Sequence, residues 1–338
     1  MVVLEALLFG VGLALLVKGA DWFVESAACL ARKIGVSEFA IGLTLVAVGT
    51  SVPELSNAVI ASLKGVPEIV LGDIVGSNIA NIGLIVGLGA TVYGVKARGD
   101  LPIKDGYILI FSMLMFYGFC FGGGISVSEA LICLSVYVLY VAQIFEIKPH
   151  IRVKHYMRQF VDFFWGISHL EWKSNRGFGL GRLSIFHSEL RKDLLIIVVS
   201  VGMLAFGANM LVDSAVFFAD YLEIPKSIIG ISLVAIGTSL PELSLCISAA
   251  RKGYGEIIVG NVIGSNIANT LLISSISAIL TPFRVGGIML YFTIPFMIMM
   301  SILLVVLVLR KQEVKQKHGI LLLALYAAFI LFVLSQSA

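Results

Sequence analysis

Thr50, Ser51, Pro53 and Glu54 stand together in the stretch GTSVPELSNAVIAS (residues 49–62), and Thr238, Ser239, Pro241 and Glu242 recur in GTSLPELSLCISAA (237–250). Both stretches lie in otherwise apolar surroundings. Proline donates no backbone N–H, and its ring clashes with the carbonyl four residues earlier, so each helix should bend or break there. Gly49 and Gly237 loosen the backbone at the same places. The break near Gly49–Pro53 is expected to leave carbonyls at about residues 47–50 without helical partners. Hydroxyls, carbonyls and carboxylates are hard oxygen ligands, the set that Ca2+ and Na+ prefer. No His or Cys stands at either break to favour a softer metal.

Downstream of each stretch comes GSNIAN, which supplies Ser77, Asn78 and Asn81 in one copy and Ser265, Asn266 and Asn269 in the other. A spacing of four places Ser77 with Asn81, and Ser265 with Asn269, on one helix face. Gly76, Ala80, Gly264 and Ala268 are small enough for helices to approach closely. Proline kinks and Ser/Asn pairs also serve simply to bind helices together, and that reading suffices for the Ser and Asn residues taken alone. It fails for the glutamates. A charge near the bilayer centre costs at least about 2.5–3.5 kcal/mol and marks an ion or substrate path. Two carboxylates brought together repel each other unless a cation or a proton sits between them.

The elements that must position these residues are membrane helices. The chain has 338 residues, 59% hydrophobic and 13% charged, and a mean hydropathy of +1.00. That is too little polar surface for a water-soluble protein. The apolar runs show no strand-like alternation, which argues against a β-barrel. Ten spans are predicted at 2–31, 38–63, 68–93, 106–122, 126–145, 193–221, 227–250, 256–280, 286–309 and 319–336. With that placement 20 of the 24 Lys and Arg fall in loops on one side, against Lys64, Lys226 and Arg284 on the other. The basic side should be cytoplasmic, which puts both termini outside. The charge excess is a topology signal and calls for no nucleic-acid partner.

At a constant offset of 188 residues, positions 41–87 match 229–275 at 26 of 47 sites without a gap. This is a duplicated half: residues 1–145 and 193–338 form two repeats joined by 146–192. Five spans per repeat is an odd number, so the second copy enters the membrane from the opposite side. The expected fold is therefore an all-α polytopic membrane protein, ten transmembrane helices in two five-helix inverted-topology repeats. In such repeats the binding site lies near the midplane where they meet.

Other features read more plainly. Cys29, Cys120, Cys133 and Cys246 lie in apolar stretches without metal-type spacing and serve as packing residues. The start, MVVLEALLFG, lacks a basic region, so the first span is expected to stay rather than be cleaved. The 146–192 connection mixes aromatic and basic residues, as in a segment lying at the headgroup level, and its His150, His155, His169 and His187 are interfacial. Lys18 and Asp21 are spaced to pair. Glu25 and Asp213 fit solvated helix ends, and Asp73 fits a structural pair or a guide for cations. No nucleophile–base pairing, nucleotide loop or hydrolase motif argues for an enzyme. A channel would use the same oxygens, yet two inverted halves around buried carboxylates suit alternating access better.

Paired GTSVPE and GTSLPE segments, each followed by GSNIAN, closely resemble the α-repeats of sodium/calcium exchangers of prokaryotic type in the cation/Ca2+ antiporter superfamily. The resemblance implies antiport of Na+ against Ca2+ across a plasma membrane, with no cofactor and no obligate protein partner. It also implies four neighbouring sites. Glu54 and Glu242 would be shared anionic ligands; Thr50, Ser51, Thr238 and Ser239 would give hydroxyls; Ala47 and Ala235 would give carbonyls. Ser77 and Ser265 would complete outer and inner Na+ sites, and Asn81 would face the centre. Asn269 stands where potassium-dependent relatives carry aspartate. The pocket is thus expected to hold two formal negative charges and no third acid, so Ca2+ is neutralised while three Na+ leave one positive charge in excess. The proton/Ca2+ branch shows GNxxE where this chain has GTSxPE, which favours Na+; H+/Ca2+ exchange is the alternative.

Overall fold

In lipid every backbone polar group must be satisfied within its own segment or by a packed neighbour, which makes helix the default for an apolar run. The computed structural model describes residues 2–34, 37–63, 67–96, 101–146, 180–221, 239–311 and 313–337, and they are overwhelmingly helical. The first repeat comprises α1 (Val2–Ile34), α2 (Phe39–Thr50), α3 (Val52–Leu63), α4 (Pro67–Ala80, continued through Asn81–Val86 and Gly87–Val92), α5 (Leu101–Phe121) and α6 (Val127–Glu146). The second comprises α7 (Leu180–Tyr221), α8 (Leu240–Arg251), α9 (Gly255–Ile267, continued through Ala268–Ile273 and Ser274–Leu280), α10 (Met289–Thr293 and Ile294–Lys311) and α11 (Gln316–Ser337).

Eight of these helices are long and apolar enough to cross a membrane. The predicted second span is two shorter helices, α2 and α3, meeting at Ser51. The predicted seventh is described only from Ser239 onward. Helix α7 begins at Leu180, so part of the segment expected as a connecting loop is helical. The rest of that connection, with His150, His155 and His169, lies outside the described residues.

Four two-residue strands, β1 (Val95–Lys96), β2 (Gly124–Ile125), β3 (Phe283–Arg284) and β4 (Glu313–Val314), form two ribbons that join the repeats. β1 pairs antiparallel with β4, and β2 with β3. The 188-residue offset carries β1 onto β3 and β2 to within one residue of β4, so the two ribbons are equivalent. Helices α4 and α9 run in opposite directions. The strand after α4 meets the start of α9, where a Cβ on Gly255 would fall 2.3 Å from the Lys96 carbonyl. At the far end Thr281, just beyond α9, donates to the Ser62 carbonyl at the end of α3 (2.9 Å). The parity argument is therefore supported: equivalent helices are inverted. Lys33, Lys96, Lys252 and Lys315 gather toward the β1–β4 end, and Arg284 sits in the ribbon at the other.

Helices α4 and α9 form the centre; 78% and 94% of the residues in their apolar stretches are buried. Helix α11 packs on the late turns of α4 and α6 on those of α9, so each repeat covers the other's core helix. Helices α1 and α7 lie against each other along their length, with Gly19 close to Met203 and Leu204, and Gly207 close to Gly12 and Leu16. Lys33 pairs with Asp193 (2.7 Å) at one end of the pair, and Ser214 donates to Glu5 (3.4 Å) at the other. The expected Lys18–Asp21 pair is not formed. Lys18 is exposed, while Asp21 accepts from Ser248 (2.6 Å) and lies 3.9 Å from Lys252. Glu25 is exposed and reaches Lys252 at 3.5 Å; Asp213 is exposed. Cys120, Cys133 and Cys246 are buried and Cys29 half-buried, all as free thiols.

Candidate functional site

The helix break falls at Ser51, whose backbone leaves the helical region (φ −82°, ψ 7°) before α3 begins. Ser239 takes the same conformation (φ −88°, ψ 2°) as the residue before α8, with Pro241 in the first turn. The two serines thus take the same conformation just before the helix that follows, from the same sequence. Glu54 and Glu242 sit in the first turn of the helices that follow. Helix N-termini present unpaired N–H groups and a partial positive charge, which stabilises carboxylates there. The Ala47 carbonyl, expected to be without a helical partner, keeps one: the Ser51 N–H donates to it at 3.1 Å, and the Thr50 hydroxyl also reaches it at 3.3 Å. Ala235 and Thr238 lie outside the described residues.

Close approach of backbones positions this break. A Cβ on Gly264 would fall 2.3 Å from the Leu43 carbonyl, and one on Gly260 2.4 Å from that of Phe39. Glycine at both positions lets α9 lie directly on α2, as small residues do between membrane helices. The approach sets Thr50 against Asn261, with its hydroxyl 3.3 Å from Asn261 Oδ1, 3.3 Å from the Ala47 carbonyl and 3.2 Å from that of Val46.

Thr50, Ser51, Glu54, Ser77 and Asn81 of the first repeat, and Ser239, Glu242, Ser265 and Asn269 of the second, are all buried. Glu54 and Glu242 are neighbours, each within electrostatic reach of the other. Burial in the absence of a partner is costly for a polar oxygen. Yet Ser51 Oγ, Glu54 Oε2, Asn81 Oδ1, Ser239 Oγ, both Glu242 oxygens, Ser265 Oγ and Asn269 Oδ1 have no hydrogen-bond partner. Such a set of orphaned oxygens, drawn from equivalent positions of both repeats, has the composition of a hard-cation site.

The second GSNIAN asparagines bind across the repeat boundary. Asn81 Nδ2 donates to Asn266 Oδ1 (2.9 Å), and Asn269 Nδ2 donates to Asn78 Oδ1 (3.2 Å). The offset of 188 exchanges the two bonds. Asn78 also donates to Thr270 Oγ1 (3.0 Å), and Asn266 to the Asn78 carbonyl (3.2 Å). Asn81 and Asn269 also stand at or beside the start of π-helical turns, Asn81–Val86 and Ala268–Ile273. Turns of this kind are frequent at functional sites. Their positions have no signature in residue type.

Asp73 is a further acid within electrostatic reach of the two glutamates. It accepts from Ser77 Oγ (3.3 Å). Among the described residues no three acidic, His or Cys side chains converge as a metal cluster, so Asp73 acts beside the glutamates rather than as a third member of their cluster. The i, i+4 spacing of Asp73 and Ser77 on one helix face was its signal in the sequence. Asn261 and Thr270 are further neighbours of the site that the sequence alone did not single out as such.

The sodium/calcium exchanger protein family model matches residues 4–145 and 192–335. The chain is 40% identical to the sodium/calcium exchanger MaX1 of Methanosarcina acetivorans, over 98% of each chain. It is 32% identical to an uncharacterized membrane protein, MJ0091, of Methanocaldococcus jannaschii, over 96% of this chain and 97% of that one. Among solved structures it is similar to the sodium-calcium exchanger NCX_Mj soaked with Na+ and Sr2+, with a TM-score of 0.77, 30% identity and 98% of each chain covered.

Proposed function

Because the chain belongs to the sodium/calcium exchanger protein family, we propose that it couples Na+ movement in one direction to Ca2+ movement in the other by alternating access. The observation that carries the reading is the set of buried, unpartnered oxygens contributed by both repeats. Glu54 and Glu242 are the shared anionic ligands; their charges repel until a cation lies between them. Ser51, Ser239, Thr50 and Thr238 add hydroxyls, and Ala47 and Ala235 add carbonyls. Ser77, Ser265, Asn81 and Asn269 complete the flanking positions. Ca2+ between the two glutamates is neutralised by them. Three Na+ would exceed that charge by one.

Ca2+ and Na+ compete for overlapping ligands, so the loaded pocket opens to one side at a time. The α1/α7 pair, tied to itself at both ends, slides over the core to switch access. The basic end faces the cytoplasm of a plasma membrane, with both termini outside. In liposomes with the potential clamped, an outward Na+ gradient should drive Ca2+ uptake and an outward H+ gradient should not. Uptake driven by protons alone would move the protein to H+/Ca2+ exchange and make the glutamates proton carriers.

A further inference from the structure

An asparagine offers a cation its oxygen or blocks it with its NH2, and the two atoms differ only in orientation. In this protein the orientation is dictated by backbone carbonyls, which only accept. The Asn266 carbonyl takes the Thr270 hydroxyl proton at 2.7 Å. That hydroxyl has no second proton, so its oxygen accepts from Asn78 Nδ2 at 3.0 Å. The amide of Asn78 is thereby turned with Oδ1 toward Asn269, whose Nδ2 donates to it at 3.2 Å. Asn269 Oδ1 is left facing away, buried and unpartnered. A second relay starts at the Asn78 carbonyl, which accepts from Asn266 Nδ2 at 3.2 Å. Asn266 Oδ1 must then accept Asn81 Nδ2 at 2.9 Å, which leaves Asn81 Oδ1 buried and unpartnered.

We infer that Asn78, Asn266 and Thr270 are positioning residues: a directional hydrogen-bond relay anchored on two backbone carbonyls holds the amides of Asn81 and Asn269 with their oxygens, not their NH2 groups, toward the cation. The relay is unequal. Position 270 is Thr in the second repeat, whereas its counterpart, Ile82, has no hydroxyl. The Asn269 amide therefore depends on a side chain, and the Asn81 amide is two bonds from backbone. The relay also dictates which residue position 269 accepts. Asn78 presents an acceptor to it, and a carboxylate there would face oxygen with oxygen.

The inference rests on the exchanger reading, and its test is the Ca2+ affinity of the reconstituted protein, measured as the KM of Na+-driven Ca2+ uptake and by Ca2+ titration of the purified full chain. T270V removes the hydroxyl oxygen that accepts from Asn78 Nδ2 and leaves that NH2 only the weak acceptor Met297 Sδ at 3.4 Å; Asn269 is then free to turn its NH2 inward. Loss of a group that orients a metal ligand typically costs about 10- to 100-fold in affinity, and a weakening of that order is expected. T270S keeps the hydroxyl and should restore affinity to within about twofold of wild type. In an N269D background the sign inverts. There T270V frees Asn78 to swing its NH2 onto the new carboxylate, so Ca2+ binds more tightly to N269D/T270V than to N269D. A purely structural threonine would weaken binding in both backgrounds, and that result, or a T270V protein equal to wild type, overturns the relay. A wild-type protein that neither binds nor carries Ca2+ overturns the exchanger reading itself, and the relay's role with it.

Discussion

Helices α4 and α9 share their apolar character with α1 and α7 but differ from them in almost everything else. The apolar stretches of α4 and α9 are 78% and 94% buried, whereas those of α1 and α7 are 17% and 33% buried. The inner pair carries Ser77, Asn78, Asn81, Ser265, Asn266 and Asn269, all buried and tied across the repeats by amide hydrogen bonds. Within the outer pair Lys33 meets Asp193 and Ser214 meets Glu5, and α1 reaches the core through Asp21 and Glu25. Hydrogen bonds in low dielectric fix geometry and are costly to leave unmade. Apolar helices packed on apolar neighbours in lipid have no such register. The difference teaches that the same composition yields a rigid element or a mobile one according to where its few polar groups lie.

The comparison breaks most sharply at the glutamates that the inner helices surround. E54Q or E242Q should abolish Ca2+ uptake in liposomes while the protein still elutes as a folded species; near-normal flux in either would remove these residues from the site. Next in size is a steric contrast. Gly264→Ala places a Cβ 2.3 Å from the Leu43 carbonyl, and such overpacking costs about 1–3 kcal/mol, to be read as a fall in Tm. Gly10→Ala on α1 meets nothing within 4 Å and should be neutral or stabilising by up to about 1 kcal/mol. Equal losses in the two would show that the outer pair is packed as tightly as the core.

A smaller effect is expected where the two regions meet. Ser248 and Lys252 on or beside α8 hold Asp21 and Glu25 of α1. A polar contact of this kind contributes about 0.5–1.5 kcal/mol, so D21N should change turnover by about two- to tenfold while the Ca2+ KM stays nearly constant. A change confined to KM would instead place Asp21 in the ion path. Smallest is K33M, within the outer pair itself. A partly exposed ion pair is worth no more than about 1 kcal/mol, and exchange kinetics should be unaltered; a lost turnover would show that this single ion pair, rather than packing along the helices, couples α1 to α7.

Much of this was legible in residue order. Apolar run length dictates membrane helices, because lipid leaves the backbone no other partner. The repeat and the odd number of predicted spans together dictate inversion, and Pro53 marks the break between α2 and α3 because a proline nitrogen has no proton to give. What residue order left open depends on distances between segments far apart in the chain. The nearness of Asp73 to both glutamates and the seating of Gly260 and Gly264 on the α2 backbone are set by how α2, α4 and α9 cross. So is the direction of each asparagine amide, since Asn78 and Asn269 are brought within hydrogen-bond reach only when the two repeats interlock. The types and order of the side chains determined that oxygens for a cation would be present; only the tertiary structure decided which of those oxygens are left without a partner, because a hydrogen bond is satisfied by position and not by composition.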